Sequence, residues 1–337
     1  MTGSIASITG APHARVLGVG AYRPERIVPN ADVVEAIDSS DEWIQQRSGI
    51  KSRRWAGPEE SVQMMSVAAS RLALERAGLT GADIDCVVVA TVSHLLQTPA
   101  VATAIAHELG TKAAAFDISA ACSGFCHGIS LASDFVRAGS ARHVLVIGVE
   151  RMTDILDLSD RGTAFIFGDG AGAAVVGPSD TPGIGPVVWG SDGEQFDLIR
   201  QREDWRDVVG TADSPGSGVM PHLVMEGNPV FRWASFAMAK IGTQALDKAG
   251  ITLDDIDVFV PHQANMRIID AMARSMKLPA HVRIARDVAE QGNTSAASVP
   301  LALERMMTEG DARSGDTALL IAFGAGLSYA AQVITVP

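Results

Sequence analysis

Three side chains in this sequence have the types and settings that covalent nucleophilic chemistry needs. Cys122 lies in Asp117-Ile-Ser-Ala-Ala-Cys-Ser-Gly-Phe125, between an apolar run, Ala113–Ile118, and an amphipathic stretch, Gly124–Arg137. A strand-to-helix turn at that place puts the thiol beside the free N–H groups of a helix start. Those groups favour the thiolate, which is the nucleophilic form. Ala120, Ala121, Ser123 and Gly124 are small and leave room for a substrate. The competing reading is a buried structural cysteine, the commoner fate of the residue type.

His262 stands in Val258-Phe-Val-Pro-His-Gln-Ala-Asn265, directly after a short apolar strand. A residue at the C-terminal end of such a strand points into the cleft of an α/β sheet. Asn293, in Gln291-Gly-Asn-Thr-Ser-Ala-Ala-Ser298, opens a further helix; simple N-capping is its alternative reading. Gly324-Ala-Gly-Leu-Ser328 is a glycine turn that can bring backbone N–H groups close to a ligand. Each signal is weak alone, but together they place Cys, His and Asn at strand ends of one α/β chain.

The elements that position these residues occur twice. Ala73-Leu-Glu-Arg-Ala-Gly-Leu-Thr-Gly-Ala-Asp-Ile-Asp85 recurs as Ala245-Leu-Asp-Lys-Ala-Gly-Ile-Thr-Leu-Asp-Asp-Ile-Asp257. Each copy reads as a helix, a glycine stop at Gly78 or Gly250, and an apolar strand, Cys86–Ala90 or Val258–Val260. A weaker echo links Gly170-Ala-Gly172, beside Ala173–Val176, with Gly324-Ala-Gly326, before Leu327–Val333. The expectation is two similar α/β halves, 1–180 and 181–337, joined at Pro182-Gly-Ile-Gly-Pro186. Strands alternating with helices favour mostly parallel sheets covered by helices. A site at the junction of two such halves follows naturally.

The 337 residues exceed one core, which agrees with two halves. The net charge of −12 disfavours a nucleic-acid binder. Three cysteines, Cys86, Cys122 and Cys126, are too few and too unevenly spaced for a disulfide framework or a zinc site, so no metal is expected. Residues 1–14 lack Lys and Arg and do not read as a signal peptide, and the apolar runs are strand-sized. These features fit a cytoplasmic enzyme without membrane attachment. After His262, Arg267, Arg274 and Lys277 fall at i, i+7 and i+10, and so share one face of the expected helix. An acidic partner would suit that face, although a solvated basic surface is the commoner reading.

The chain resembles the β-ketoacyl–acyl carrier protein synthase III family of thiolase-fold condensing enzymes, actinobacterial members above all. The resemblance rests on Ser40-Asp-Glu-Trp-Ile44 with Arg47-Ser-Gly-Ile50, Ala121-Cys-Ser-Gly-Phe125 and Phe167-Gly-Asp-Gly-Ala-Gly172. It continues through Pro261-His-Gln-Ala-Asn265, Gly292-Asn-Thr-Ser-Ala-Ala-Ser298 and Gly324-Ala-Gly-Leu-Ser328. Ser123 departs from the Ala more usual in the family.

The resemblance implies a thiolase-like fold, with two pseudo-symmetric α/β halves in a layered α-β-α-β-α sandwich. It implies that Cys122 takes an acyl group from acyl-CoA. His262 and Asn293 then stabilise the enolate formed when malonyl–acyl carrier protein loses CO2. The backbone N–H groups of Cys122 and Gly326 would form an oxyanion hole. Trp43 and Arg161 would sandwich the CoA adenine, with Arg47 and Asn265 along the phosphates and pantetheine. Gln263, Arg267, Arg274 and Lys277 would meet the carrier protein. Gln97 and Thr98, in the loop His94–Pro99, would reach across a homodimer to the partner's acyl channel. No cofactor is called for, since decarboxylation supplies the carbanion. A paralogue priming a polyketide pathway, or transferring acyl groups without condensing, shares these motifs. A catalytically dead partner subunit would have lost the cysteine.

Overall fold

The computed structural model describes residue 5, residues 8–211 and residues 214–337. Two five-stranded sheets carry the architecture. In the first, the strand order is His13–Tyr22, Gly170–Ser179, Val144–Glu150, Cys86–Ala90, Ala114–Ile118. In the second it is Val188–Ser191, Ser328–Thr335, Thr317–Gly324, Val258–Pro261, Arg283–Ile284. Position by position the senses agree. The first two pairings of each sheet are antiparallel and the last two parallel. The thirteen-residue repeat therefore marks equivalent helix–strand units at equivalent places.

Strand alternation builds the layers. Val144 and Val146 face a central core, while Leu145, Ile147 and Val149 face the opposite side. In the other sheet Ala318, Leu320 and Ala322 face the same central core, and Leu319, Ile321 and Phe323 point away. Because both faces are covered, these strands read in sequence as continuous apolar runs rather than alternating ones. The helices Gly124–Ala138 and Ser298–Glu309 lie in the central core between the sheets. Val62–Ala77 and Val101–Glu108 cover the first sheet outside, and Gly227–Ala249 with Met266–Met276 cover the second. The result is the α-β-α-β-α sandwich the motifs implied.

The two buried helices are the ones that begin at the cysteine and asparagine loops. Both start from a short 3-10 turn, Ala121–Ser123 or Ser295–Ala297. Ala121 and Ser295 each hold a left-handed φ, +46° and +47°. Such a backbone is costly for a residue with a side chain and survives only where its surroundings enforce it. At Gly148 the chains approach so closely that an added Cβ would lie 2.3 Å from the Ala296 carbonyl oxygen, so glycine there lets the Ser295–Ala297 turn seat against the first sheet. Among the described residues, no helix is long and apolar enough to cross a membrane.

Candidate active site

Cys122, His262 and Asn293 line one cavity of about 430 Å³. Cys122 is the middle residue of the Ala121–Ser123 turn after the strand Ala114–Ile118 and is 9% exposed. Cys126, one turn further on, is fully enclosed in the central core, and Cys86 is buried there too, so cavity access singles out Cys122. Gly324, which ends the strand Thr317–Gly324, passes so close that an added Cβ would be 2.6 Å from the Cys122 nitrogen. Gly326, further round that hairpin, has φ +125°.

The expectation that the turn favours the Cys122 thiolate is not met in the resting site. Burial pushes the thiol up to about 12; a Ser295 hydrogen bond acts the other way, and the nearby Glu150 charge raises it further. Desolvation of the anion outweighs the hydrogen-bond donors available.

His262 is 1% exposed and held at three points. Its backbone N–H donates to the Ile321 carbonyl at 2.7 Å, its ring packs edge-on to Phe323 at 5.3 Å, and Nδ1 lies 2.6 Å from Ser298 Oγ. Ser298 Oγ also accepts the Gln263 N–H, so this one hydroxyl fixes both the ring and the adjoining backbone. Nε2 is the ring nitrogen left free to meet a ligand, and it carries the ring proton when Nδ1 accepts from the Ser298 hydroxyl. Burial lowers the imidazole pKa to about 3, so the ring is a neutral donor at pH 7.

Asn293 is oriented in a similar way. Its backbone joins residues 166–168, with the Asn293 N–H donating to Ile166 O at 2.9 Å and the Gly168 N–H donating to Asn293 O at 3.0 Å. Its Oδ1 accepts the Ser295 N–H at 2.8 Å, which leaves the amide Nδ2–H₂ to donate. Cys122 thus shares a cavity with the His262 ring and the Asn293 amide, each fixed by a hydrogen bond at the atom turned away from the ligand.

A second cavity, of about 420 Å³, adjoins the first and shares Asn293, Ala264, Met225 and Val230 with it. Arg161 lies over the Trp43 ring at 4.9 Å, Arg47 at 5.6 Å, and Arg267 over Phe231 at 5.0 Å. Asn265 also lines this cavity, but its polar atoms hold the protein: Nδ2 donates to the Arg47 carbonyl and Oδ1 caps the helix at Arg267 N–H. Cations stacked on an indole at a cavity mouth suit a flat heteroaromatic ring carrying phosphates.

Two expectations for the carrier-protein face, those for Gln263 and Lys277, need correction. Gln263 is 1% exposed, donates to the Pro261 and Ala285 carbonyls and accepts the Val288 N–H, so it cannot touch a docking protein. Lys277 is exposed but sits beyond the Met266–Met276 helix in a left-handed cap, φ +58°, so it is out of phase with Arg267 and Arg274. Arg267 belongs to the mouth of the second cavity as well as to the exposed helix face. Arg274 is exposed as expected. Gln97, with His94, Leu95 and Leu96, borders this chain's own cavity, whereas Thr98 is exposed beyond it.

Sequence reasoning assigned no role to Glu150, Ser295 or Ser298. Ser298 and Ser295 lay inside a motif already noted. Glu150 closes the wholly apolar run Val144–Val149, a single charged residue that reads as a strand end yet is fully buried.

The comparisons agree with this geometry. Residues 116–193 match the family described as 3-oxoacyl-[acyl-carrier-protein (ACP)] synthase III, and residues 246–336 match its C-terminal part. A β-ketoacyl-[acyl-carrier-protein] synthase III of Streptomyces coelicolor is 61% identical, over 97% of this chain and 98% of that one. One from Mycobacteroides abscessus is 53% identical, over 99% and 98%. Among solved structures, the priming β-ketosynthase of the R1128 polyketide pathway superposes with TM-score 0.95 at 51% identity, covering 99% of each chain. A 3-oxoacyl-[acyl-carrier-protein] synthase III from Aquifex aeolicus gives TM-score 0.88 at 34% identity, over 96% of this chain and 99% of that one. With the family matches and these full-length identities added to the thiolase-like sandwich and its Cys–His–Asn cavity, the chain belongs to the 3-oxoacyl-[acyl-carrier-protein] synthase III family.

Proposed function

We propose that the protein joins an acyl-CoA primer to malonyl–acyl carrier protein, giving 3-oxoacyl–acyl carrier protein, CoA and CO2 and so initiating fatty-acid synthesis. The observation that carries this reading is the shared cavity of Cys122, His262 Nε2–H and Asn293 Nδ2–H₂. Cys122 attacks the acyl thioester and expels CoA. The backbone N–H groups of Cys122 and Gly326 receive the tetrahedral oxyanion. CoA enters by the second cavity, where its adenine would part Arg161 from the Trp43 ring it covers at 4.9 Å, with the phosphates toward Arg47.

Malonyl–acyl carrier protein follows through the same mouth. His262 and Asn293 donate to its thioester oxygen and stabilise the enolate left by CO2. A neutral imidazole suits this work, because it can donate without protonating the carbanion. The enolate carbon attacks acyl-Cys122 and releases the thiol. Nothing in this sequence of steps calls for a metal or redox cofactor. Arg274, with Arg267 nearer the mouth, faces the acidic carrier protein. The exposed Leu95 and Leu96 beside Gln97 and Thr98 suit the homodimer contact, with the enzyme working in the cytoplasm.

The similarity to the R1128 priming β-ketosynthase favours a second reading, in which the same chemistry primes a polyketide pathway. A kcat/KM series over acetyl-, isobutyryl- and longer acyl-CoAs, with malonyl groups on fatty-acid and polyketide carrier proteins, separates the two. The fatty-acid reading expects 3-oxoacyl product and stoichiometric CO2 with the fatty-acid carrier protein. Acyl transfer to the carrier protein without CO2 would contradict both.

A further inference from the structure

Of the buried carboxylates that take no part in the steps above, Glu150 lies beside the nucleophile. Glu150 is fully buried at the end of the strand Val144–Glu150. Its Oε2 accepts four hydrogen bonds: Ser93 Oγ at 2.6 Å, Ser93 N–H at 3.1 Å, Val92 N–H at 3.1 Å and Thr91 Oγ1 at 3.2 Å. A purely structural carboxylate would be satisfied by that cluster. The other oxygen, Oε1, instead accepts the Ser295 hydroxyl at 3.1 Å, and Ser295 lines the same cavity as Cys122, where its hydroxyl acts to lower the thiol pKa. Ser295 is held there by its left-handed backbone and by the Asn293 Oδ1 bond to its N–H. One hydroxyl therefore stands between the cavity that holds Cys122 and a buried carboxylate.

We propose that Ser295 is a further catalytic residue, which passes the Cys122 proton to Glu150 as the sulfur attacks the acyl thioester. The balance is simple. The S–H bond breaks and the proton goes to Ser295 Oγ while the Ser295 proton moves to Glu150 Oε1. The sulfur electron pair forms the new S–C bond, the tetrahedral intermediate expels CoA thiolate, and that thiolate takes back one proton. Glu150 returns to carboxylate, and acyl-CoA plus thiol becomes acyl-Cys122 plus CoA thiol.

Charge conservation is the physical reason for such a route. Release of the thiol proton to water would put a second negative charge into a buried site already holding Glu150, and isolated buried charges are strongly disfavoured. Transfer to Glu150 keeps one buried charge before and after. Burial also raises the Glu150 carboxyl to about 7, so it is a far better proton acceptor than an exposed glutamate. Glu150 acts through Ser295 and is a positioning residue by this account, whereas Ser295 exchanges its proton directly with the reacting sulfur.

The inference rests on Cys122 being the acylated residue, so the test includes a readout that needs no acyl-CoA. Glu150→Gln and Ser295→Ala are compared with wild type for single-turnover acyl loading and for Cys122 alkylation by iodoacetamide at pH 7. Decarboxylation of malonyl–acyl carrier protein serves as the control. Loss of a positioned base typically costs about 10²-fold or more. Both variants are expected to load acyl groups and alkylate about 10²-fold more slowly and to decarboxylate within about threefold of wild type. The double variant is expected to be no slower than either single one, as for residues that act as a unit. A bystander Glu150 gives the opposite sign, because removing its negative charge would ease thiolate formation and speed alkylation. Alkylation of Glu150→Gln at or above the wild-type rate overturns the proposal. So does wild-type loading by Ser295→Ala, which decides the matter even if Glu150→Gln does not fold.

Discussion

Gly324→Ala probes the seat of the nucleophile without touching any catalytic side chain. The new Cβ would stand 2.6 Å from the Cys122 nitrogen, 3.0 Å from the Cys122 Cβ and 3.2 Å from the Ala121 Cβ. Ordinary contact begins near 3.4 Å, so the Ala121–Ser123 turn must retreat by about 0.8 Å, and all three neighbours are short and rigid. Overpacking of this kind costs about 1–3 kcal/mol. For 337 residues that corresponds to a Tm fall of roughly 1–5 °C. The kinetic effect is expected to be larger, because a displacement of about 1 Å at a reacting atom costs on the order of a hundredfold. Asn293 is held from other elements, and His262 is tied to the body of the strand that ends at Gly324, at Ile321 and Phe323, so both stay in place while the cysteine turn retreats. Rapid-quench mass spectrometry would follow acyl loading, and CO2 release would follow decarboxylation. The expected pattern is loading slowed by about 30- to 100-fold, with decarboxylation within about threefold. Loading at the wild-type rate, or equal loss in both half-reactions, would refute the reasoning that Gly324 is there to admit the Cys122 turn.

Three further outcomes follow from the same geometry. His262→Ala and Asn293→Ala should each slow malonyl decarboxylation on the order of a hundredfold while sparing acyl loading, measured by CO2 release and by mass spectrometry. Arg274→Glu should raise KM for malonyl–acyl carrier protein a few-fold, and less as salt rises, because exposed charges contribute under about 1 kcal/mol each and are screened. Arg267→Glu, at the cavity mouth, should raise KM for acyl-CoA as well. Glu150→Gln should change how stability varies with pH. The folded carboxyl titrates near 7, above its ordinary 4.5, so its favourable contribution is complete below pH 4.5 and is lost as pH rises through 7. Denaturant unfolding at fixed protein concentration should show the variant gaining up to about 3 kcal/mol on wild type between pH 5 and pH 8.

Much of this was legible in the chain because the fold repeats itself. The match of Ala73–Asp85 with Ala245–Asp257 marks the same helix–stop–strand unit in both sheets, and the glycine stops set its boundaries. Cys122, His262 and Asn293 could be found because each interrupts a regular element at its end. What stayed hidden depends on burial and on backbone phase. Gln263 follows the histidine and resembles an exposed polar residue until three backbone groups are found to enclose it. Lys277 fits a helical face by counting, but a left-handed cap ends the helix one residue earlier. The thiol of Cys122 was expected to be acidified by its turn, and only its enclosure reveals the larger opposing cost. Glu150 was passed over because a lone acid after an apolar run is usually a wet strand end, whereas here Thr91, Val92 and Ser93 fold over it.

The central claim is that Cys122 carries the acyl group, and peptide mass spectrometry after brief incubation with acyl-CoA tests it most directly. All three cysteines are buried, with thiols pushed up to about 11 for Cys86 and about 12 for Cys122 and Cys126, so acidity alone does not choose among them. Only Cys122 opens to the cavity shared by His262 and Asn293. The account predicts one acyl group per chain, on the peptide containing Cys122 and lost on addition of malonyl–acyl carrier protein. An acyl group on Cys86 or Cys126, or no acyl-enzyme from any acyl-CoA while product still forms, would contradict it.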